Sequence, residues 1–352
     1  MDAPRLFDTP APPPTTRTIA LTVKRHGVDG LDQARLRADR ARYQEVTCRS
    51  ALNPVKGMPF SWTLNPYRGC THGCHYCFAR RYQTQFELGP DDEFSSLIFV
   101  KVNFAEVLRR ELDRPSWTRE LVAFGTATDP YQPIEGHYKI TRRSLEALLA
   151  GRTPIGLVTK GPMVVRDADL LAELGRQGNC TVCMSVPTVN EEAWAALEPG
   201  TAPPLQRLRA VRQLRDAGVN AGVLMAPVVP GFTTQPARLE ATIKAIADHG
   251  AGFLGANLLH LKGGTRDHFM KFLKTAWPEL ADGYERLYPG AYAPKSYSST
   301  VKSLIHSLQQ KYALSTRRYG KENDEPSEDR ERQEKEKEEA CAEQQPFNWN
   351  DA

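Results

Sequence analysis

Cys70, Cys74 and Cys77 fall within eight residues, in the stretch NPYRGCTHGCHYCFAR, spaced Cys-x-x-x-Cys-x-x-Cys with Tyr76 immediately before the last thiol. Thiolates gathered on one short loop suit metal. A structural zinc site is normally closed by four ligands, usually as two separated pairs, and no second Cys/His pair at finger spacing follows nearby. His72 and His75 could each add a fourth ligand, but residues so tightly interleaved would strain a tetrahedron. A four-iron cluster suits the spacing better, because neighbouring irons can each take one thiolate from a single loop. With three protein ligands the fourth iron stays open to an exchangeable molecule. An open iron is a reactive one.

The other cysteines carry less chemistry. Seven in 352 residues, an odd number, are too sparse for a disulfide framework. Cys180 and Cys183 form a Cys-x-x-Cys, yet at that spacing on a strand the two side chains point to opposite faces. A structural role is expected, with one of the two buried. Cys48 and Cys341 read as incidental.

A loop of thiols needs a scaffold, and the chain beyond it alternates strand-like and helix-like runs. Strands are expected at SWTLNPYR, LVAFGTAT (121–128), IGLVTKG (155–161), TVCMSVPT (181–188), NAGVLMAPVVPG (220–231) and FLGANLLHL (253–261). Helices are expected at 102–112, 139–151, 166–178, 204–218, 236–250 and 265–277, several ending in Gly, with Asp167 as a candidate cap. Six βα units imply a parallel sheet with crossover helices. Six fall short of the eight that close a full barrel. The fold class is therefore α/β, as a partial (β/α)6 TIM-type barrel or a doubly wound sheet. Either places its site at the C-terminal ends of the strands, and the three cysteines follow directly on the first.

Composition divides the chain further. Residues 1–45, with the proline-rich TPAPPPTT, read as a disordered leader, 46–315 as the core with a C-terminal helical extension, and 316–352 as an acidic disordered tail. Five Lys/Arg against twelve Asp/Glu from Lys321 to Ala352 put that stretch at −7. With a net charge of +4 overall, residues 1–320 carry +11. A basic body suits an anionic partner such as nucleic acid. No run of about 18 apolar residues occurs, so no membrane span is expected. Proline also stands where a secretory signal would be apolar, so a cytoplasmic location is expected.

The cysteine spacing, together with GTATDPYQPIEG, LVTKG, SVPT, LEPGTAPPLQRLRAVRQLRDAGV and MAPVVPG, resembles the radical S-adenosylmethionine enzymes. Within that family these stretches, spread over residues 50–262, look like the spore photoproduct lyase-like or DNA repair photolyase-like subgroup, closest to its uncharacterised actinobacterial-type members. The resemblance implies a [4Fe-4S] cluster on Cys70, Cys74 and Cys77, with S-adenosylmethionine chelating the open iron. Reduction would release methionine and a 5′-deoxyadenosyl radical that abstracts hydrogen from a substrate, nominally DNA. A reductase, flavodoxin or ferredoxin would supply the electron.

Residue by residue, the resemblance implies that Lys160, ending a strand, pairs with the methionyl carboxylate. Ser185 would reach the ribose or carboxylate, Thr126, Thr128 and Asp129 the methionyl group, and Tyr76 the adenine. Asp129-Pro130 could instead start a turn. Glu135 in PIEG, Glu198 in LEPG, and Arg68, Arg80 and Arg81 are candidate site groups or ordinary surface charge. Spore photoproduct lyases carry a hydrogen-donating cysteine at the end of the second strand, where GTATDP has threonines. Two alternatives stay open: radical chemistry on a protein, peptide or small metabolite, and a non-catalytic zinc-binding module.

Overall fold

The computed structural model describes residues 40–86, 93–178 and 180–317. Six short apolar runs form its main strands: β1 (Trp62–Leu64), β2 (Val122–Phe124), β3 (Ile155–Thr159), β4 (Cys180–Ser185), β5 (Ala221–Val228) and β6 (Leu254–Leu258). Each pairs in parallel with the next, in chain order. Asn53–Pro54 adds a short antiparallel strand outside β1, and the sheet stays open between that strand and β6. Parallel neighbours need long crossovers. The helices supplied are α1 (Phe104–Leu112), α2 (Ile140–Ala150), α3 (Ala168–Gln177), α4 (Pro204–Asp216), α5 (Pro236–Asp248) and α6 (Gly264–Ala276), one after each strand. The result is the expected partial (β/α)6 barrel.

Apolar spacing explains how these helices dock. In α1, Phe104, Val107, Leu108 and Leu112 are buried on one stripe, while Arg109 and Arg110 point outward. Pro204 and Pro236 start α4 and α5, where the missing N–H costs nothing. The stripes close over strands buried on both faces, as parallel sheets require. Leu157, Val182, Val223 and Ile243 all lie in the main core, and each such burial contributes about 1.5–3 kcal/mol.

Several boundaries differ from expectation. SWTLNPYR divides, because Pro66 has no N–H to continue the pairing of β1. Tyr67–Arg68 instead pairs antiparallel with Leu97–Lys101 in a separate three-stranded sheet. That sheet also takes Arg42–Val46 as a parallel strand, so the expected leader of 1–45 ends too late. At the other end Thr316 bridges Leu254, and Arg317 N–H donates to the Leu254 carbonyl at 3.1 Å. The backbone along the open edge of β6 therefore claims the first residues of the expected tail. The rest of that leader and tail, 1–39 and 318–352, lie outside the described residues. Asp167 precedes α3 without capping it. Its carboxylate is taken by Arg142 at 2.9 Å and the Tyr131 hydroxyl at 3.0 Å.

Cys180 and Cys183 are both buried, not one of the two, because β4 is paired on either side and covered on both faces. Burial pushes their thiols up to about 12 and about 11, which suits structural rather than reactive cysteines. Among the described residues no helix is long and apolar enough to cross a membrane.

Candidate active site

The cysteine loop leaves the sheet just beyond the C-terminal end of β1. Its shape is set by backbone bonds: Cys70 N–H donates to the Phe94 carbonyl at 2.9 Å, Gly73 to Cys70 at 3.2 Å and Cys77 to Cys74 at 3.3 Å. Gly69 makes the entry possible, with φ of +77° and the Leu97 carbonyl 2.6 Å from where a Cβ would stand. Arg80 is not surface charge. It is buried, donates to the carbonyls of Gly73 at 2.9 Å and Cys74 at 3.0 Å, and lies over the Phe94 ring. The loop is thus held from behind by its carbonyls.

All three thiols are free, with Cys70 and Cys74 buried and Cys77 half-buried. Burial pushes Cys74 and Cys77 up; Lys160 opposes this at Cys74, Arg80 and Lys160 at Cys77, while the neighbouring thiols add to it. Three mutually repelling thiolates would be stabilised by a metal group that shares them. Among the described residues no three His, Cys, Asp or Glu side chains converge as a single ion needs. His72 Nδ1 faces Asp129 Oδ2 at 3.3 Å, while His75 Nδ1 lies 3.0 Å from His268 Nε2 and stacks on Phe272. With both imidazoles engaged by other groups, the donor set fits a metal group held by thiolates alone.

The candidates from the strand ends fall into two sets. Lys160, just past β3, donates to Ser185 Oγ at the end of β4 at 2.6 Å and lies over the Tyr76 ring at 5.6 Å. These three form one group beside Cys74. Asp129 and Thr128 form another. Asp129 accepts from the Thr159 hydroxyl at 2.6 Å, the Lys160 N–H at 2.6 Å and the Tyr131 N–H at 2.8 Å, in addition to facing His72. Thr128 donates to the Gly69 carbonyl at 2.7 Å. Both side chains are spent on the cysteine loop and on strand ends. Thr126, past β2, is half-buried and accepts from Asn65 at 3.4 Å.

Glu198 was legible only as a rim group, yet it is buried. It accepts from Arg207 Nη2 at 2.5 Å and from the Tyr76 hydroxyl, and Lys160 Nζ stands 3.5 Å away. Burial alone would raise this carboxyl, but Arg207 and Lys160 outweigh it and hold it down at about 2. Arg207, on α4, also donates to the Ser185 carbonyl at 2.7 Å. The signal for it was available: Arg207 sits on the buried stripe of α4 with Leu208, Val211 and Leu214, where an arginine needs a partner. The LEPG turn itself rests on the cysteine loop. His75 N–H donates to the Leu197 carbonyl and Gly200 N–H to the His72 carbonyl, both at 3.0 Å. A Cβ on Gly200 would stand 2.3 Å from the Thr71 carbonyl.

Glu135 is buried as well, but elsewhere. It accepts from Tyr67 at 2.5 Å, Arg166 at 2.7 Å and the Thr141 N–H at 3.0 Å. These contacts tie the small sheet to the start of α2. Burial is the largest influence on its carboxyl and leaves it raised.

The family model of the Radical SAM superfamily matches residues 64–246. An uncharacterised protein of Mycobacterium tuberculosis is 41% identical over 280 residues, 78% of this chain and 82% of the relative. Radical SAM Nalpha-GlyT isomerase of Pseudomonas phage M6 is 30% identical over 174 residues, 48% of this chain and 33% of that protein. Among solved structures, a spore photoproduct lyase mutant with bound AdoMet and dinucleoside spore photoproduct superposes with a TM-score of 0.61 at 15% identity, covering 80% of this chain and 82% of that one. At that identity the likeness is one of fold.

Proposed function

This chain belongs to the radical SAM superfamily of enzymes, and from that premise we propose that Cys70, Cys74 and Cys77 hold a [4Fe-4S] cluster beside a site for S-adenosylmethionine. When bound, cluster and cofactor supply a 5′-deoxyadenosyl radical that takes a hydrogen atom from the substrate. The observation that carries this reading is the placement of three free thiols at the mouth of the strands, next to the Lys160–Ser185 pair.

The chain's own groups have separable tasks. Lys160 has three N–H donors and offers its charge to the methionyl carboxylate, with Ser185 fixing its direction. Tyr76, which stands between the second and third cysteines in the sequence and lies under Lys160, serves the adenosyl part. Thr126 remains available to the methionyl group. Thr128 and Asp129 act one step back, as positioning residues for the loop and for the Lys160 backbone. The apolar cluster around Cys74 and Tyr76, which includes Val229, Leu259 and Phe269, keeps water from that side of the loop.

For the substrate we propose a nucleic acid carrying a modified or damaged base. The fold likeness to a lyase with a bound dinucleoside photoproduct and the basic body support this. By the resemblance, the stretch GTATDP, with Thr126 and Thr128, corresponds to the segment where that lyase class carries its hydrogen-donating cysteine, so another donor would complete the reaction. A ferredoxin- or flavodoxin-type partner would deliver the electron, in the cytoplasm.

Anaerobic reconstitution followed by dithionite and S-adenosylmethionine should yield 5′-deoxyadenosine from the wild type and none from Cys74→Ala. Colourless protein with stoichiometric zinc and no product would sink the reading. DNA affinity that falls steeply with salt supports the nucleic-acid substrate, because phosphate contacts release counterions. Salt-independent or absent binding would redirect the search to peptides and metabolites.

A further inference from the structure

Three charged or polar groups from three places in the chain meet at Glu198. Tyr76 comes from the cysteine loop, Lys160 from the end of β3, and Arg207 from α4. Lys160 and Arg207 carry two positive charges against the one negative charge of Glu198. Buried charges are stable only when paired, so this carboxylate has little freedom to move or to be lost. Its backbone is pinned too, since the turn on either side of it bonds to the amide of His75 and the carbonyl of His72.

We propose that Glu198 is a positioning residue. It clamps the cysteine loop onto the strand ends through Tyr76, and it places a fixed negative charge beside Cys74 that offsets Lys160. The first half of this stands on contacts alone. The second half rests on the cluster reading above: a negative charge at close range in a dry site disfavours adding an electron to a cluster, and a positive one favours it. Glu198 and Lys160 would therefore pull the reduction potential of the cluster in opposite directions, and their 3.5 Å pairing sets the balance. Glu135, with a similar set of partners but none from Lys160 or the Cys74–Phe78 segment, serves as the internal control.

Two measurements decide it. In the cluster-free protein, hydrogen exchange of a peptide spanning Cys74–Phe78 should be at least about tenfold faster in Glu198→Gln than in wild type, the loss of one charge-assisted bond holding the loop. Glu198→Asp should restore part of that protection, and Glu135→Gln should leave the peptide unchanged. Equal exchange in Glu198→Gln and wild type would overturn the clamp, whether or not any cluster loads. In the reconstituted protein without S-adenosylmethionine, the midpoint potential should rise in Glu198→Gln and fall in Lys160→Met. General loosening of the loop would move both variants the same way, and that outcome, or no shift in either, refutes the charge-setting role. Failure of the wild type to bind iron would count against the cluster reading and the charge-setting role together, while the exchange result would still stand for the clamp.

Discussion

Glu135 and Glu198 are built from the same parts. Each is a buried glutamate followed within two residues by a glycine, each accepts from a tyrosine hydroxyl, and each is paired with an arginine at short range. Their surroundings separate them. Glu135 takes backbone amides at the start of α2, and burial is the leading influence that leaves its carboxyl raised. Glu198 gains a second cation, Lys160, and is held down at about 2. One ties a helix start to a peripheral sheet; the other lies where strand ends meet the thiols. The difference teaches that residue type sets what a group can do, while its place relative to the strand ends decides whether it meets chemistry.

The harshest way to break the comparison is to remove either guanidinium. Arg207→Met and Arg166→Met each remove the nearest guanidinium from a buried glutamate, and each should cost about 3–5 kcal/mol in a urea denaturation series. Iron content in the folded fraction should drop for Arg207→Met alone. Equal iron loss in both would mean the two networks are not separable.

A milder contrast comes from the amides. In Glu135→Gln the new NH2 would face the Thr141 N–H or the Arg166 guanidinium, donor against donor, costing about 1–3 kcal/mol. Product formation from S-adenosylmethionine should survive at ordinary temperature. A loss of 5′-deoxyadenosine without a loss of stability would place Glu135 in the site after all.

The smallest effect is in acid, and there the two carboxyls should have opposite signs. Glu198 titrates lower in the folded chain than its ordinary 4.5, so its contribution is present above 4.5 and lost as pH falls towards about 2. Glu135 titrates higher, so its contribution is full below 4.5 and lost as pH rises through the folded value. Stability differences between wild type and each glutamine variant, followed from pH 3 upward at roughly half-unit steps, should therefore grow for Glu198→Gln and shrink for Glu135→Gln. Parallel curves would show that the two environments are electrostatically alike.

Much of this was legible in the residues themselves. The six strands were readable because a parallel sheet buried on both faces needs short continuous apolar runs, and GLVT, CTVCMS and GVLMAPV are such runs. The thiols were readable because their spacing is local. Helix ends were off by a residue or two, as fraying ends are. Arg80 and Glu198 were not readable as buried groups, since a glutamate in a Pro-Gly turn and an arginine after a loop have the composition of a surface.

The sequence by itself determined the order and number of βα units and the grouping of three cysteines on one loop, since both depend on neighbours a few residues apart. Only the tertiary structure decided which charges surround those donors. Tyr76 and Glu198 are separated by 122 residues, and Lys160 and Ser185 by 25. Contacts of that range arise when separate strand ends converge on one face, so they depend on packing rather than on any local pattern.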